Sequence, residues 1–114
     1  MNKTTFYTLQ LDEKRKPIAR KVNGYHFGKN TLSVYTNYGV DIAYYRNAST
    51  KTWHAIDLAT GLSIAMGSTQ KEVIRNSYAP ELKEKVKNVL GTAYYERSKS
   101  AYTDLVKKAK ENEQ

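Results

Sequence analysis

Apolar and polar residues alternate along the first two thirds of the chain, a pattern typical of β-strands. Residues 5–11 alternate in this way, the charged segment 12–17 predicts a turn, and the alternation resumes over residues 18–22. The next pair, Asn23-Gly24, predicts a type I′ hairpin turn, because both residue types tolerate the positive φ that this turn requires. We therefore expect residues 25–27 to pair back on residues 18–22.

Further strand-like segments follow at short intervals. Residues 32–36 and 40–46 are rich in β-branched and aromatic side chains, and Asn37-Tyr38-Gly39 between them suits a turn. Residues 52–57 and 62–66 form another pair, joined by a turn that contains a glycine. Connections this short cannot make the crossovers of a parallel sheet. The sequence therefore predicts an antiparallel meander.

The pattern changes to helical spacing after Gly67. Thr69, with Glu72 three residues later, has the form of a capping box, which satisfies free backbone N–H groups at the start of a helix. A short helix through Val73 and Ile74 is expected to follow.

A longer helical region begins at Pro80, which fits the first turn of a helix because its missing N–H is not needed there. Apolar residues then recur at three- and four-residue steps over about thirty residues. Gly91-Thr92 interrupts this stripe and predicts a break, with helices near residues 80–90 and 93–112.

These elements predict one α+β domain over residues 1–114, a size usual for a single domain. Residues 1–67 form an N-terminal antiparallel β-sheet meander, and residues 68–114 form α-helices that pack on it. The sequence leaves open which face of the sheet the helices cover.

Composition narrows the function classes. The chain has no cysteine, which excludes disulfides and thiolate chemistry and fits a reducing compartment. No apolar stretch approaches the 18 or so residues of a membrane span, and the N-terminus has no apolar block of signal-peptide length. We therefore expect a cytoplasmic protein without a membrane partner.

Candidate catalytic groups are few and scattered. His26 and His54 lack a second ligand at the short spacing that zinc sites use, and the six glycines are isolated. Asp57 precedes a turn, and we expect it to stabilise that turn by bonding the backbone near Thr60 or Gly61. These observations predict a protein that is not an enzyme and has no metal or cofactor.

Charge is the most informative feature for function. The chain carries 19 basic against 11 acidic residues, a net charge of +8, which creates a positive field that attracts polyanions. Between residues 14 and 29 there are basic residues and no acidic one, and aromatic side chains in the same region could stack on bases. A basic face that is merely solvated stays an alternative. The candidate contact residues are Lys14, Arg15, Lys16, Arg20, Lys21, Lys29, Tyr25 and Tyr38.

One segment, residues 53–72, is similar to part of a known group of proteins. The run Trp53-x-x-Ile56-Asp57-x-x-Thr60-Gly61-Leu62-x-Ile64-x-x-Gly67-x-Thr69-x-Lys71-Glu72 resembles a segment of small uncharacterised proteins of phages and mobile elements of Gram-positive bacteria. The likeness covers about a fifth of the chain and has no catalytic residue to transfer. It implies a phage-type protein in the cytoplasm of a bacterial host, such as an accessory DNA-binding factor or an inhibitor of bacterial defence.

Two functional hypotheses follow. The first is a small basic phage-type binding protein that contacts nucleic acid or a host nucleoprotein complex. The alternative is an anti-CRISPR-like protein–protein inhibitor of bacterial defence machinery that does not bind free nucleic acid. The oligomeric state stays open, and a homodimer through the C-terminal helix is one arrangement the sequence permits.

Overall fold

The structure is a computed structural model that describes residues 2–26 and 40–113. The predicted strand 32–36 and the turn at Asn37-Tyr38-Gly39 lie outside the described residues. The elements are β1 (Asn2–Leu11), β2 (Pro17–His26), β3 (Ile42–Asn47), β4 (Thr52–Asp57), β5 (Ser63–Gly67), α1 (Gln70–Ser77), α2 (Pro80–Val89) and α3 (Ala93–Asn112).

The described strands form one antiparallel sheet in the order β1-β2-β3-β4-β5. The described neighbours in the sheet follow one another in the chain, and the connections between β1 and β2, β3 and β4, and β4 and β5 are too short for a parallel crossover. The three helices of the described chain follow the sheet. The predicted α+β class, with an N-terminal antiparallel meander and C-terminal helices, is confirmed.

The prediction of a hairpin turn at Asn23-Gly24 is wrong. β2 continues through both residues and pairs with β1 along its whole length, from Asn2 opposite His26 to Leu11 opposite Pro17. A Cβ at Gly24 would collide with the carbonyl oxygen of Tyr44 and lie 2.7 Å from the Phe6 ring. The glycine therefore permits a close crossing of two strands and makes no turn.

This crossing folds the hairpin made by β1 and β2 over the rest of the sheet. Among the described residues, β2 pairs with β3 through Tyr25 with Tyr44 and His26 with Ala43, and residues 17–24 of β2 do not pair with β3. Phe6 contacts the Tyr45 ring edge-on, with centroids 6.1 Å apart. The apolar cluster that results beneath the hairpin contains Phe6, Val22, Ala43, Tyr45, Ile56 and Leu58.

The opposite face of β3 and β4 is covered by α1 and α2. Because side chains alternate along a strand, Ile42 and Tyr44 point away from the hairpin and toward the helices. The four residues Ile42–Tyr45 are all buried, so β3 is enclosed on both faces. This second cluster includes Ile42, Tyr44, Ala55, Val73, Ile74, Val86 and Leu90.

The predicted helix start at Thr69 is confirmed, but of the capping box only the half made by the Thr69 side chain forms, because Glu72 bonds Ser68 instead of the Thr69 N–H. The Thr69 hydroxyl accepts the backbone N–H of Glu72 at 3.1 Å, and the Glu72 carboxylate accepts the Ser68 hydroxyl at 2.9 Å. The predicted break after α2 is confirmed, because Gly91 adopts φ +81° and Thr92 caps α3 by accepting the N–H of Tyr95 at 3.2 Å.

α3 runs from the turn after β4 to the β1–β2 hairpin. Near its start, the Tyr95 hydroxyl donates to Asp57 at 2.9 Å. Further on, the Tyr102 ring lies against Gly61, and at the end Glu113 bonds Tyr7 of β1. Among the helices of the described residues, none is long and apolar enough to cross a membrane.

Candidate nucleic-acid interface

The turn between β1 and β2, residues 12–16, is the hairpin tip. The Asp12 carboxylate accepts the backbone N–H groups of Lys14 at 2.8 Å and Lys16 at 2.9 Å. The Asp12 carbonyl accepts the N–H of Arg15, which has φ 61°. The Asp12 carboxylate thus bonds the backbone of the turn, while the side chains of Lys14, Arg15 and Lys16 stay exposed.

Hydrogen bonds between the hairpin and the body of the described protein stop before the tip. The N–H of Leu9 donates to the carbonyl of Gly61 at 2.9 Å, and the Gln10 amide contacts the Tyr45 hydroxyl at 3.4 Å. After Gln10, no hydrogen bond joins residues 11–17 to the rest of the described chain. The structure therefore places three exposed cations at the end of a β-hairpin.

The two cations of mid β2 lie on opposite faces of the hairpin, as strand alternation requires. Arg20 is exposed, and within residues 2–26 and 40–113 it has no ion-pair partner. It lines a groove of about 420 Å³ between the hairpin and the turn that joins β3 to β4. The other lining residues include Gln10, Asn23, Arg46, Asn47 and Ser49, with no carboxylate among the groove residues.

Lys21 lies on the other face, in a depression between the hairpin and α3 that we call the lysine groove. It consists of two adjoining parts, about 690 and 400 Å³, that share Leu58, Tyr102, Val106 and Lys110. Lys99 and Lys107 line the part further from Lys21. The lysine groove therefore combines an apolar floor with ammonium groups from α3 and β2.

One carboxylate enters the lysine groove. Glu113 accepts the Tyr7 hydroxyl at 2.8 Å and the Lys21 ammonium at 3.2 Å. The hydrogen bond from Tyr7, then that from Lys21, lowers the pKa of the Glu113 carboxyl. Desolvation, together with the bond to this carboxylate, raises the pKa of Tyr7.

The sheet tyrosines contribute little exposed ring surface. Tyr44 is fully buried and Tyr45 is 6% exposed, so neither can stack on a base. The half-buried Tyr25 ring lies 6.0 Å from the Trp53 ring, at 31° to it. Lys29 and Tyr38 lie outside the described residues, and their predicted role stays a prediction.

The remaining polar candidates are engaged in structural contacts. Asp57 accepts the N–H of Ala59 at 2.9 Å and the hydroxyl of Thr60 at 3.1 Å, which confirms its predicted role in the turn. His26 pairs with Asp41 at 2.6 Å. His54 bonds the Ser63 hydroxyl at 2.9 Å, and burial lowers its pKa.

No group of three or more histidine, aspartate or glutamate side chains comes together within the described ranges. Lysine and arginine side chains, which can bind anions, lie at the hairpin tip, beside Arg20 and in the lysine groove of the described protein.

Lys99, Lys107 and Lys110 of α3 are not among the contact residues predicted from the sequence. Their spacing of eight and three residues places them on one side of a helix, which is a signal available in the sequence. This side of α3 lies next to Lys21 because of contacts between residues far apart in the chain. Such contacts cannot be predicted from a local sequence pattern.

Comparison of the chain with protein-family models, with curated proteins and with solved structures finds no match. The resemblance of residues 53–72 to phage proteins therefore stays a prediction.

Proposed function

We propose that this protein is a non-enzymatic DNA-binding protein whose hairpin tip contacts the phosphate backbone of a duplex. The observation that carries the proposal is the hairpin tip, with Lys14, Arg15 and Lys16 exposed and without ion-pair partners in the described part of the chain. Cations left free in this way can each replace a condensed counterion on DNA, which is the main source of non-specific affinity.

The shape of the hairpin favours a duplex. The major groove of B-DNA, about 12 Å wide, admits a two-stranded β-ribbon, and several DNA-binding proteins use strands in this way. Arg20 follows the tip along β2 and is also exposed, so it extends the row of cations toward the body. The burial of Tyr44 and Tyr45 removes the stacking surface that single-strand binding by this part of the sheet would need.

The test is fluorescence-anisotropy binding of the full chain to a labelled duplex about two helical turns long, roughly 20 base pairs, over roughly 50 to 200 mM salt. The tip variant carries Lys14→Glu, Arg15→Glu and Lys16→Glu. The control carries Lys71→Glu, Lys83→Glu and Arg97→Glu, which are exposed and lie near the starts of α1, α2 and α3. It makes the same change in net charge at exposed positions away from the hairpin tip.

We expect the wild-type affinity to fall steeply with salt. The tip variant should lose about three units of the slope of log K against log salt, because each lost phosphate contact removes about 0.9. The control should keep nearly all of the wild-type slope. Equal losses in both variants would contradict a contact at the tip, and no binding by the wild type at low salt would favour the protein–protein inhibitor.

A further inference from the structure

Three groups surround the Glu113 carboxylate at the end of α3. The Tyr7 hydroxyl donates to one carboxylate oxygen at 2.8 Å, and the Lys21 ammonium donates to the other at 3.2 Å. Lys110 is the third group, and its charge also lowers the pKa of Glu113. The ammonium groups of Lys21 and Lys110 each lie 5.9 Å from the centre of the Tyr7 ring.

We propose that Tyr7, Lys21 and Lys110 form a phosphate-binding site that Glu113 occupies when no ligand is present. One hydroxyl and two ammonium groups are suitable donors for a phosphate oxygen, and a carboxylate is the anion that a protein can itself place there. That the phosphate belongs to DNA rests on the proposed function. Glu113 then acts as an internal competitor for one of the contacts that DNA makes.

The internal contact is weak enough to be displaced. The side chains of Lys21 and Glu113 are 49% and 43% exposed, and ion pairs this exposed contribute little because water and salt screen them. A polyanion that binds in the place of Glu113 gains two lysine contacts and releases counterions that were condensed on its own phosphates. Displacement therefore becomes more favourable as salt falls.

The site also opens onto a longer surface. Lys110 is shared with the second part of the lysine groove, which Lys99 and Lys107 line. A phosphate bound between Lys21 and Lys110 would have further ammonium groups on one side and the hairpin on the other.

The deciding variant is Glu113→Gln, which removes the competing charge and keeps the size of the side chain. Its control is Glu111→Gln, an exposed position two residues earlier that makes the same change in net charge and has no bond to Tyr7 or Lys21. In the duplex titration, we expect Glu113→Gln to steepen the slope of log K against log salt by about one to two units, since one or two cations become available. Glu111→Gln should leave the slope unchanged.

A second arm uses inorganic phosphate and follows the amide resonances of Tyr7, Lys21 and Lys110 by NMR. Glu113→Gln should show saturable shifts at these residues at lower phosphate concentration than wild type or Glu111→Gln. The double variant Lys21→Gln, Glu113→Gln should lose this gain.

The two arms separate the two proposals. If no variant binds the duplex but Glu113→Gln gains phosphate binding, the site stands and DNA as its ligand is wrong. If Glu113→Gln and Glu111→Gln behave alike in both arms, or the gain survives loss of Lys21, the site is overturned.

Discussion

Gly24 determines how the hairpin meets the sheet. Its backbone lies against the carbonyl of Tyr44 and the ring of Phe6, which leaves no room for a side chain. The close approach lets the part of β2 before Tyr25 separate from β3 and brings Phe6 onto Tyr45. The position of the basic tip therefore depends on a residue that carries no charge.

We predict that Gly24→Ala lowers the free energy of unfolding by about 1–3 kcal/mol, because the methyl group overpacks the crossing. The control is Gly91→Asn. A Cβ at Gly91 would meet nothing within 4 Å, and asparagine tolerates the positive φ of this position, so the change should stay within about 0.5 kcal/mol. Urea denaturation measures both, and equal effects would contradict the close crossing.

Glu113 gives a second prediction for a single residue. Its pKa is lowered by Tyr7 and Lys21, so its contact stabilises the folded state above the ordinary glutamate pKa of about 4.3. The contribution is lost as pH falls through the lowered value. In Tyr7→Phe the pKa of Glu113 should rise toward the ordinary value, which an NMR titration of the side-chain carboxyl measures. An unchanged midpoint would show that Tyr7 does not hold this carboxylate.

At the scale of elements, side-chain caps define where the helices begin. Thr92 starts α3 by accepting the N–H of Tyr95, which in turn donates its hydroxyl to Asp57. The cap therefore positions the first contact between α3 and the turn after β4.

Thr92→Ala should cost about 1 kcal/mol of stability, since it leaves an N–H at the helix start without its partner. Thr92→Ser keeps the hydroxyl and should recover most of the loss. Thermal or urea unfolding compares the two variants. A serine variant as unstable as the alanine variant would place the effect of Thr92 elsewhere than in its cap.

Local patterns predicted most of these elements. β4 spans Thr52–Asp57 as expected, and Thr69, Pro80 and Gly91 mark helix boundaries as their local chemistry suggests. The predicted turn at Asn23-Gly24 is wrong for a non-local reason. The glycine is needed because its backbone contacts β3, about twenty residues away in the chain. A local rule cannot distinguish a glycine that makes a turn from one that admits a neighbouring backbone.

The candidate site could be predicted only in part. The cations at Lys14, Arg15 and Lys16 are evident in the sequence. The alternation of side chains along a strand is enough to place Arg20 and Lys21 on opposite faces. The partners of Lys21 are distant in the chain, since Glu113 lies 92 residues away. Such contacts depend on how α3 packs on the hairpin, which no sequence spacing shows.

In the molecule as a whole, three buried or half-buried tyrosines link the helices to the sheet and its turns. Tyr44 bonds Ser77 of α1, while Tyr95 and Tyr102 join α3 to the region around Asp57 and Gly61. Burial raises the pKa of Tyr44 and of Tyr102 to about 12, and burial together with the Asp57 hydrogen bond raises that of Tyr95.

This arrangement predicts alkaline instability. In the unfolded chain these tyrosines ionise near pH 10, so between about pH 10 and pH 12 the unfolded state binds fewer protons than the folded state. Stability should therefore fall as pH rises through this range. Phenolate absorbance should show the three tyrosines titrating after the exposed ones, and a single transition near pH 10 without loss of structure would contradict their burial.

The placement of cations is the basis of the proposal that the tip and the face of the hairpin toward α3 contact DNA. The most direct measurement is an NMR titration of the full chain with a duplex, which maps amide shifts on the described residues. We predict shifts concentrated at residues 12–21 and at Lys99, Lys107 and Lys110, with α2 unaffected. Shifts confined to α2, or none at low salt, would contradict the account.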